Sequence, residues 1–311
     1  MNIHIDITKD IINQFVEPLS TKVIDDEITF NNTLGKGQIE RRNFNDKIEL
    51  LKFSFQLSIP ITLTSSNPTD SEYLLININL SKFGVHKKVN DTSISVQRNL
   101  PIGILFYTPN IEVSSTSATK MPFEIVLLKF KKSFLSEIDY GNLTILTNTT
   151  KVLVYEDLDI DSESCLRIIL NQESSKLKAY SKILELLDIN FQKLAKREVE
   201  DKYEELHPLD LKGLFTAATL LRDPIMDKTF SIDELSEVAN MGKTKFKMLF
   251  KQVFGLPPIS YKQKIKMEYA KEKLSSKEMS ASEISYQIGY SHPSKFTIAY
   301  KKYFGVLPSS I

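Results

Sequence analysis

Two stretches near the carboxyl terminus follow one pattern: residues 231–256 read SIDELSEVANMGKTKFKMLFKQVFGL, and residues 280–306 read SASEISYQIGYSHPSKFTIAYKKYFGV. The first begins with Ser231 ahead of two acidic residues, and the second begins with Ser280 and Glu283 at capping-box spacing, so each predicts a helix start. A short break that contains glycine and a second amphipathic segment follow in both stretches. Helix, short turn and helix form the helix-turn-helix pattern, so the sequence predicts two such motifs in tandem.

The second segments of the two motifs repeat each other at an offset of fifty residues (296 − 246 = 50). In the first motif we expect Val238 to face inward and Gly242 to adopt the left-handed conformation that breaks the helix. The aromatic residues of both second segments are expected to face inward, because residues four apart share one helix face. The repeated sequence is Phe246-x3-Phe250-x3-Phe254-Gly255 in the first motif and Phe296-x3-Tyr300-x3-Phe304-Gly305 in the second.

A single lysine-rich helix is predicted between the motifs, at residues 259–275. With two motifs and this connecting helix in register, the last third of the chain resembles the AraC/XylS family of bacterial transcription regulators. The sequence departs from the family pattern at Ser285 (usually Ala), Lys266 (usually Arg) and Tyr290 (often Phe). The matching residues are Leu235-Ser236, Gly242, Phe246, Phe250, Gly255, Tyr261, Ala270, Leu274, Ile284, Ile288-Gly289-Tyr290, Phe296, Tyr300 and Phe304-Gly305-Val306-x-Pro308.

The resemblance implies a sequence-specific transcription regulator that binds double-stranded DNA and is not an enzyme. Both second helices would enter successive major grooves, and an activator of this kind would also contact RNA polymerase. Residues expected to face bases are Lys243, Thr244, Lys247 and Met248 in the first motif and Ser294, Lys295, Thr297 and Ile298 in the second. Residues near the helix ends that are better placed for phosphates are Lys251, Lys301 and Lys302.

The charge distribution agrees with a DNA-binding tail. Residues 231–311 contain 13 Lys, no Arg and 7 acids, which gives 13 − 7 = +6, whereas the whole chain carries 40 − 39 = +1. Residues 1–230 therefore carry about −5, so a basic tail follows an acidic body. Because the tail lacks arginine, the commonest partner of guanine, we expect apolar contacts to A·T-rich sequence to contribute more.

The composition of the 311-residue chain predicts a soluble, cytoplasmic protein of about two domains. No basic amino-terminal region precedes an apolar run, and no run reaches the length of a membrane span. One cysteine excludes an internal disulfide. The four histidines (His4, His86, His207 and His292) are scattered, so we expect no metal, no cofactor and no catalytic residues.

The amino-terminal half is dominated by a period of two. Apolar residues alternate with polar ones from Leu51 to Leu63, with Pro60 suggesting an edge or bend, and shorter strands are expected at 76–80, 94–96, 103–107 and 123–128. Strands in a row without helices between them indicate an antiparallel barrel or sandwich over residues 1–160. The resemblance implies a cupin-like barrel, so the predicted fold class is α+β with an all-α tail.

Two alternatives remain open for what controls the tail. In the first alternative a barrel lined with Phe and Leu holds a small-molecule effector, although such a barrel could also be a filled core that binds nothing. In the second alternative a protein partner controls the same DNA-binding tail, and an exposed strand edge in place of an enclosed pocket would favour it.

A helical segment over residues 161–205 separates the two predicted domains. Apolar residues spaced seven apart within 177–194 occupy the a and d positions of a paired helix and predict a homodimer. An amphipathic helix that packs on its own barrel would give the same pattern. The charged residues 198–206 suggest a linker, and the DNA-binding domain is predicted over 206–311. The heptad residues are Leu177, Leu184 and Phe191 in one series and Tyr180, Leu187 and Leu194 in the other.

Overall fold

Two β-sheets form most of the amino-terminal part of the chain, as the alternating apolar pattern predicts. The computed structural model describes residues 1–81, 85–89, 92–94, 103–109, 111–138, 143, 153–195, 207–225 and 229–311. The strands are β1 (Asn2–Asp6), β2 (Glu27–Asn32), β3 (Gly35–Asn43), β4 (Ile48–Leu57), β5 (Thr62–Ser66), β6 (Tyr73–Asn79), β7 (Val85–Val89), β8 (Thr92–Ile94), β9 (Gly103–Tyr107), β10 (Glu112–Ser117), β11 (Pro122–Lys131) and β12 (Leu153–Asp157).

The strands of the described chain pair in two sheets, one of order β1-β5-β10-β7-β8 and one of order β12-β9-β6-β11-β4-β3-β2. Their pairings are antiparallel except for β1 with β5. The prediction of antiparallel β structure is therefore confirmed. The finer prediction of a cupin-like barrel stays a prediction.

The alternating run from Leu51 to Leu63 is not one strand. It is broken between β4 and β5, and the two strands belong to different sheets. Pro60 lies in the break, where its missing N–H removes no ladder hydrogen bond, and Ile59 is exposed instead of buried. Within β4 the prediction is correct, because Leu51, Phe53, Phe55 and Leu57 are buried.

The two sheets pack face to face around an apolar interior. Phe53 and Ile125 of one sheet meet Leu63 and Val113 of the other, around a residual space of about 10 Å³. That space is at the lower limit of what one water molecule requires. These side chains therefore pack closely against one another at this point between the sheets.

The opposite face of the seven-stranded sheet is covered by two helices, α2 (Ile160–Leu170) and α3 (Lys176–Ala195). Leu187, Phe191 and Leu194 belong to this core, together with Ile76 and Phe130 of the sheet. The interpretation of these three heptad residues as a dimer seam is wrong, because they pack on their own sheet. Of the same heptad series, Leu177 is 78% exposed, Leu184 is exposed and Tyr180 is half-buried.

The described residues divide into two compact units, Met1–Lys212 and Gly213–Ile311, so α2 and α3 belong with the sheets. The predicted domain limits at 160 and 205 remain predictions. The predicted linker 198–206 lies outside the described residues, as do residues 95 and 96 of the strand predicted at 94–96. No described helix has both the length and the apolar character required to span a membrane.

The carboxyl-terminal unit is helical, and its helices end where caps and breakers predict. Its helices are α4 (Pro208–Leu221), which begins just before the unit, α5 (Ile232–Val238), α6 (Lys243–Phe254), α7 (Pro258–Ser275), α8 (Ala281–Gln287) and α9 (Pro293–Phe304). A short helix, α1 (Lys132–Leu135), follows β11 in the amino-terminal unit. The first motif thus comprises α5 and α6, the second comprises α8 and α9, and α7 connects them. The prediction of two motifs joined by one helix is confirmed.

Candidate nucleic-acid interface

Both first helices begin with the same reciprocal cap. Ser231 Oγ accepts a hydrogen bond from the Glu234 backbone N–H at 3.1 Å, and Glu234 Oε2 accepts one from the Ser231 N–H at 2.8 Å. Ser280 and Glu283 repeat this arrangement at 3.3 and 2.8 Å. The hydrogen bonds from Ser280 lower the pKa of Glu283, which keeps its carboxylate charged in the first turn, where negative charge is favourable. The caps therefore set the point at which each motif begins.

The turn of the first motif depends on Asn240, and the expectation that Gly242 is left-handed is wrong. Asn240 has a φ of +54°, whereas Gly242 has a φ of −66° and directly precedes α6. Asparagine tolerates the left-handed region better than most residues. Gly289 takes the corresponding place in the second motif, with a φ of +84°. The second turn is one residue longer, since 288–292 separates its helices and 239–242 separates the first pair.

Each first helix also buries a serine. Ser236 Oγ donates to the Asp233 carbonyl at 2.9 Å, and Ser285 Oγ donates to the Ser282 carbonyl at 2.8 Å. The hydroxyl at 285, where the family usually has alanine, is therefore satisfied and does not destabilise the core. Val238 is exposed, contrary to expectation, because Ser236 takes part of the inward face.

Packed aromatic rings orient both second helices. Each helix ends at a left-handed glycine, with a φ of +75° at Gly255 and +78° at Gly305. Phe246 and Phe250 of α6 are buried, and so are their equivalents in α9, so the first two turns of both helices present equivalent faces to solvent. The last turns differ, because Val253 is buried and its equivalent Tyr303 is exposed. The ring neighbours are Phe246 with Phe250 (5.5 Å between centroids), Phe250 with Phe254 (4.5 Å), Phe296 with Tyr300 (5.6 Å) and Tyr300 with Phe304 (4.7 Å).

Side-chain hydrogen bonds tie α7 to its neighbours within the carboxyl-terminal unit. Such bonds between buried or half-buried groups fix orientation more firmly than apolar contact does, because their geometry is directional. We therefore expect α7 to set the angle between the two motifs. The bonds join Arg222 Nε to Tyr261 Oη (2.8 Å), Gln263 Nε2 to Tyr290 Oη (2.6 Å) and Tyr269 Oη to Gln287 Oε1 (2.8 Å).

The predicted DNA-contacting residues of the first motif lie on the outward face of α6. Lys243, Thr244, Lys247 and Met248 are exposed, and Met248 is 37% exposed despite its apolar side chain. Lys251 is half-buried near the end of the helix. Lys243 Nζ also forms an ion pair with Asp233 Oδ2 at 2.7 Å, which the sequence analysis did not anticipate.

The second motif presents a corresponding face on α9. Ile298 is 69% exposed and occupies the position of Met248 in the repeat (298 − 248 = 50). Thr297 is half-buried, and its Oγ1 donates to the Pro293 carbonyl at 3.0 Å, so its hydroxyl serves its own helix. The other predicted residues, all exposed, are Ser294, Lys295, Lys301 and Lys302.

One further cation belongs to this face. Lys245 is exposed on α6 and is the repeat equivalent of Lys295 (295 − 245 = 50). Sequence reasoning placed Lys295 in the interface and omitted Lys245, although aligning the two second helices would have identified it. The first motif therefore has lysines at 243, 245 and 247, all in the first half of its second helix.

A pocket of about 270 Å³ lies within the carboxyl-terminal unit. Apolar side chains such as Leu221, Leu235 and Ile259 line it together with Lys262 and Lys266. Lys262 Nζ donates a hydrogen bond to the Asp223 carbonyl. Burial and the neighbouring Lys266 charge lower the pKa of Lys262. The lining thus combines apolar walls with two positive groups one helical turn apart.

Comparison with known proteins matches the carboxyl-terminal part of the chain to a domain family. A family model described as a helix-turn-helix domain matches residues 235–311. Transcriptional regulator ExsA of Pseudomonas aeruginosa is 34% identical over 80 residues, which are 26% of this chain and 29% of that protein. The arabinose operon regulatory protein of Escherichia coli is 27% identical over 126 residues, 40% of this chain and 43% of that protein. The matches thus span less than half the length of these curated relatives.

The chain is also similar to solved structures. The alignment with ToxT from Vibrio cholerae, which has an unsaturated fatty acid bound, covers 86% of this chain and 96% of the ToxT chain. The sequence identity is 15% and the TM-score is 0.36. An AraC-type regulator from Chromobacterium violaceum covers 32% of this chain and 87% of its own at 22% identity, with a TM-score of 0.29. On the sequence match and the two capped motifs joined by α7, residues 235–311 are a tandem helix-turn-helix domain of the AraC type.

Proposed function

We propose that this protein is a transcription regulator that binds double-stranded DNA through both motifs. The observation that carries the proposal is the repetition of one exposed face on α6 and α9. A lysine recurs at 245 and 295, and an exposed aliphatic side chain recurs at 248 and 298. Buried positions repeat because the fold needs them, but exposed apolar and basic positions have no such reason to repeat. A shared ligand surface gives that reason.

In this proposal α6 and α9 enter successive major grooves and act as the recognition helices. Lys243, Lys247 and Lys295 donate to guanine O6 or N7. Met248 and Ile298 contact thymine methyl groups, which suits their exposure. Ser294 and Thr244 add contacts to base edges. Thr297 contributes its methyl group, since its hydroxyl is bonded to its own helix.

Phosphate contacts come from lysines near the helix ends. Lys301 and Lys302 lie in the last turn of α9, and Lys251 lies in the last turn of α6. These positions favour backbone contact, which fixes register and adds affinity without sequence preference. The net charge of +6 over residues 231–311 (13 − 7) supplies the long-range attraction.

Binding of the full chain to duplex DNA tests the proposal directly. Lys247→Ala should weaken binding, while Lys176→Ala, which removes an exposed lysine of the amino-terminal unit, should leave it unchanged. The measurement is fluorescence anisotropy with a labelled duplex over a range of salt concentrations. Equal effects of the two variants, or an absence of binding by the unmodified chain, would contradict the proposal.

A small-molecule effector is the proposed control. In this proposal the effector binds in the pocket of about 270 Å³ in the carboxyl-terminal unit, because the lining of that pocket combines apolar and basic side chains. Its apolar walls and its two lysines suit an effector with an apolar body and a negative charge. A ligand that changes the DNA affinity of the full chain would support this. Identical affinity with every cell extract and metabolite pool would count against it.

Control by a protein partner is the second candidate, and a strand edge favours it. β2 lies at one edge of the seven-stranded sheet, where a strand of a partner protein could pair with it. RNA polymerase is a further partner if the protein is an activator.

Self-association is proposed through the amino-terminal part of α3. Leu177 and Leu184 are exposed and seven residues apart, whereas the later heptad residues are buried in their own core. Such a contact covers about two helical turns and would be weak. Sedimentation of Leu177→Ser against the unmodified chain tests it, and an unchanged oligomeric state would remove α3 from the account.

A further inference from the structure

An exposed carboxylate lies beside the recognition helix of the first motif. Asp233, in the first turn of α5, holds Lys243 Nζ at 2.7 Å, and Lys243 is the first residue of α6. The two side chains are 59% and 60% exposed, so the pair faces solvent on the same side as the other predicted contacts. Exposed ion pairs add little stability, typically less than about 1 kcal/mol. The pair therefore has little reason to exist for folding alone.

The second motif has no counterpart to this pair. The equivalent positions are Ser282 in the first helix (233 + 49 = 282) and Pro293 at the start of the second helix (243 + 50 = 293). The first motif thus has charged side chains at two positions where the second motif has an uncharged serine and a proline. The two motifs share their scaffold, so this difference concerns what each surface binds.

Paired charges interact differently with phosphates and with base edges. The Asp233–Lys243 pair is neutral as a whole, so a phosphate that approaches Lys243 meets the Asp233 charge as well. A G·C pair offers guanine O6 and N7 as acceptors and the cytosine N4 amino group as a donor, side by side in the major groove. An amine and a carboxylate held together match that pattern, because both partners stay hydrogen-bonded when they leave water.

We propose that Asp233 and Lys243 together read one G·C base pair, with Lys243 donating to guanine and Asp233 accepting from the cytosine N4 amino group. Asp233 is then a specificity determinant that directs Lys243 away from phosphates. This inference rests on the proposed DNA-binding function. It also refines the expectation of A·T-rich sites: the apolar residues of α6 and α9 read thymines, and this pair adds one G·C position.

The test compares Asp233→Asn with Glu237→Gln in the full chain. Glu237 is an exposed acid one turn further along α5, so its substitution removes the same charge at a distance from Lys243. After a preferred duplex has been selected with the unmodified chain, each contacted base pair is replaced in turn and affinities are measured for both variants. Asp233→Ser, which copies Ser282 of the second motif, serves as a second substitution in case the first perturbs folding.

For Asp233→Asn we expect discrimination at one G·C position to fall by about tenfold, because the neutral amide oxygen accepts from cytosine more weakly than the carboxylate and no longer forms an ion pair with Lys243. Binding to unrelated duplexes should strengthen, and the slope of log affinity against log salt should steepen by about one as Lys243 becomes available to a phosphate. Glu237→Gln should change affinity for all duplexes alike. In a Lys243→Gln background, Asp233→Asn should have a smaller effect on discrimination, because Lys243 no longer orients the Asp233 carboxylate.

Three results would overturn the inference. If the unmodified chain selects a site and Asp233→Asn discriminates as well as it does, the pair reads no base and the inference alone fails. The same holds if Asp233→Asn and Glu237→Gln have equal effects. If the unmodified chain selects no site at all, the proposed function fails and the inference fails with it.

Discussion

The two helix-turn-helix motifs have nearly the same scaffold, and their exposed faces share some residues and differ in others. Both begin with a Ser-Glu capping box and end at a left-handed glycine. Both also bury a serine whose hydroxyl donates a hydrogen bond to the backbone carbonyl three residues before it. Their exposed charges differ. The first motif has lysines at 243, 245 and 247 near the start of its second helix and one at 251 in the last turn. The second motif has one lysine at 295 near the start and two at 301 and 302 in the last turn.

This difference separates what folding requires from what binding requires. Caps, turns and ring contacts repeat because each motif must bury the same faces, and few residues satisfy those positions. Exposed charges diverge because nothing in the core constrains them. The first motif therefore concentrates its charge where base edges would lie, and the second concentrates it where the backbone would lie.

The largest expected effect concerns equivalent core positions of the two motifs. Phe250→Ala should lower the free energy of unfolding by about 3–5 kcal/mol, because the ring is fully buried between Phe246 and Phe254. Tyr300→Phe, at the equivalent position, should be neutral or stabilising by up to about 1–3 kcal/mol, since the buried Tyr300 hydroxyl has no hydrogen-bond partner among the described residues. Urea unfolding of the full chain measures both.

The same environment raises the pKa of Tyr300 to about 12, through burial and the nearby Glu268 charge. A clear loss of stability in Tyr300→Phe would show that the hydroxyl is satisfied, and the two core positions would then differ in kind. Phe250→Tyr is the matched control, because it adds a hydroxyl in the equivalent place. It should destabilise the first motif.

The next effect concerns base contacts. Lys247→Ala and Lys295→Ala should each weaken binding to the selected duplex by about 1–3 kcal/mol and weaken non-specific binding less. Each should relax sequence preference in a different part of the site, because the two lysines belong to different motifs. Competition assays with single base-pair replacements measure this. If both variants relax the same base pairs, the assignment of one helix to each groove is contradicted.

Backbone conformation gives a smaller effect. Gly255→Ala and Gly305→Ala should each cost about 1–2 kcal/mol of stability, since both glycines have positive φ. Gly242→Ser should change stability by only a few tenths of a kcal/mol, because Gly242 has an ordinary φ, open surroundings and an N-cap position that serine favours. Thermal unfolding by circular dichroism distinguishes them. A large loss in Gly242→Ser would restore the idea that its flexibility breaks the helix.

The smallest effect concerns phosphates. Lys301→Ala should weaken specific and non-specific binding about equally and reduce the salt slope by about one. Lys301 lies in the last turn of α9, beyond the part of a recognition helix that reaches base edges. Affinities at several salt concentrations provide the slope. A change in sequence preference would move Lys301 into the base-reading set.

The sequence predicts the carboxyl-terminal unit in detail because its signals are local. Ser280 and Glu283 identify a cap from spacing alone, and the repeat of Phe246 as Phe296 identifies the inward face. The prediction for Gly242 is wrong for the same reason: its position near a turn suggests a left-handed glycine, but Asn240 takes that conformation. Glycine and asparagine both adopt it, and sequence alone does not decide between neighbours.

Non-local contacts explain what the sequence does not predict. The alternation from Leu51 to Leu63 continues through Pro60, so periodicity did not reveal that β4 and β5 belong to different sheets. The spacing of Leu187 and Phe191 fits a dimer seam and a core-facing helix equally well, and only the packed sheet decides between them. The Asp233–Lys243 pair depends on how α5 and α6 meet across the turn, which no sequence pattern encodes.

Selection of duplexes from a random pool tests the central claim most directly. The unmodified full chain, Lys247→Ala and Lys295→Ala would be run in parallel. The account predicts two conserved sequence blocks about 10 base pairs apart for the unmodified chain, one for each recognition helix in successive major grooves. Each variant should then lose sequence preference in one of the two blocks and keep it in the other. Enrichment of no sequence, or loss of the same block in both variants, would contradict the account.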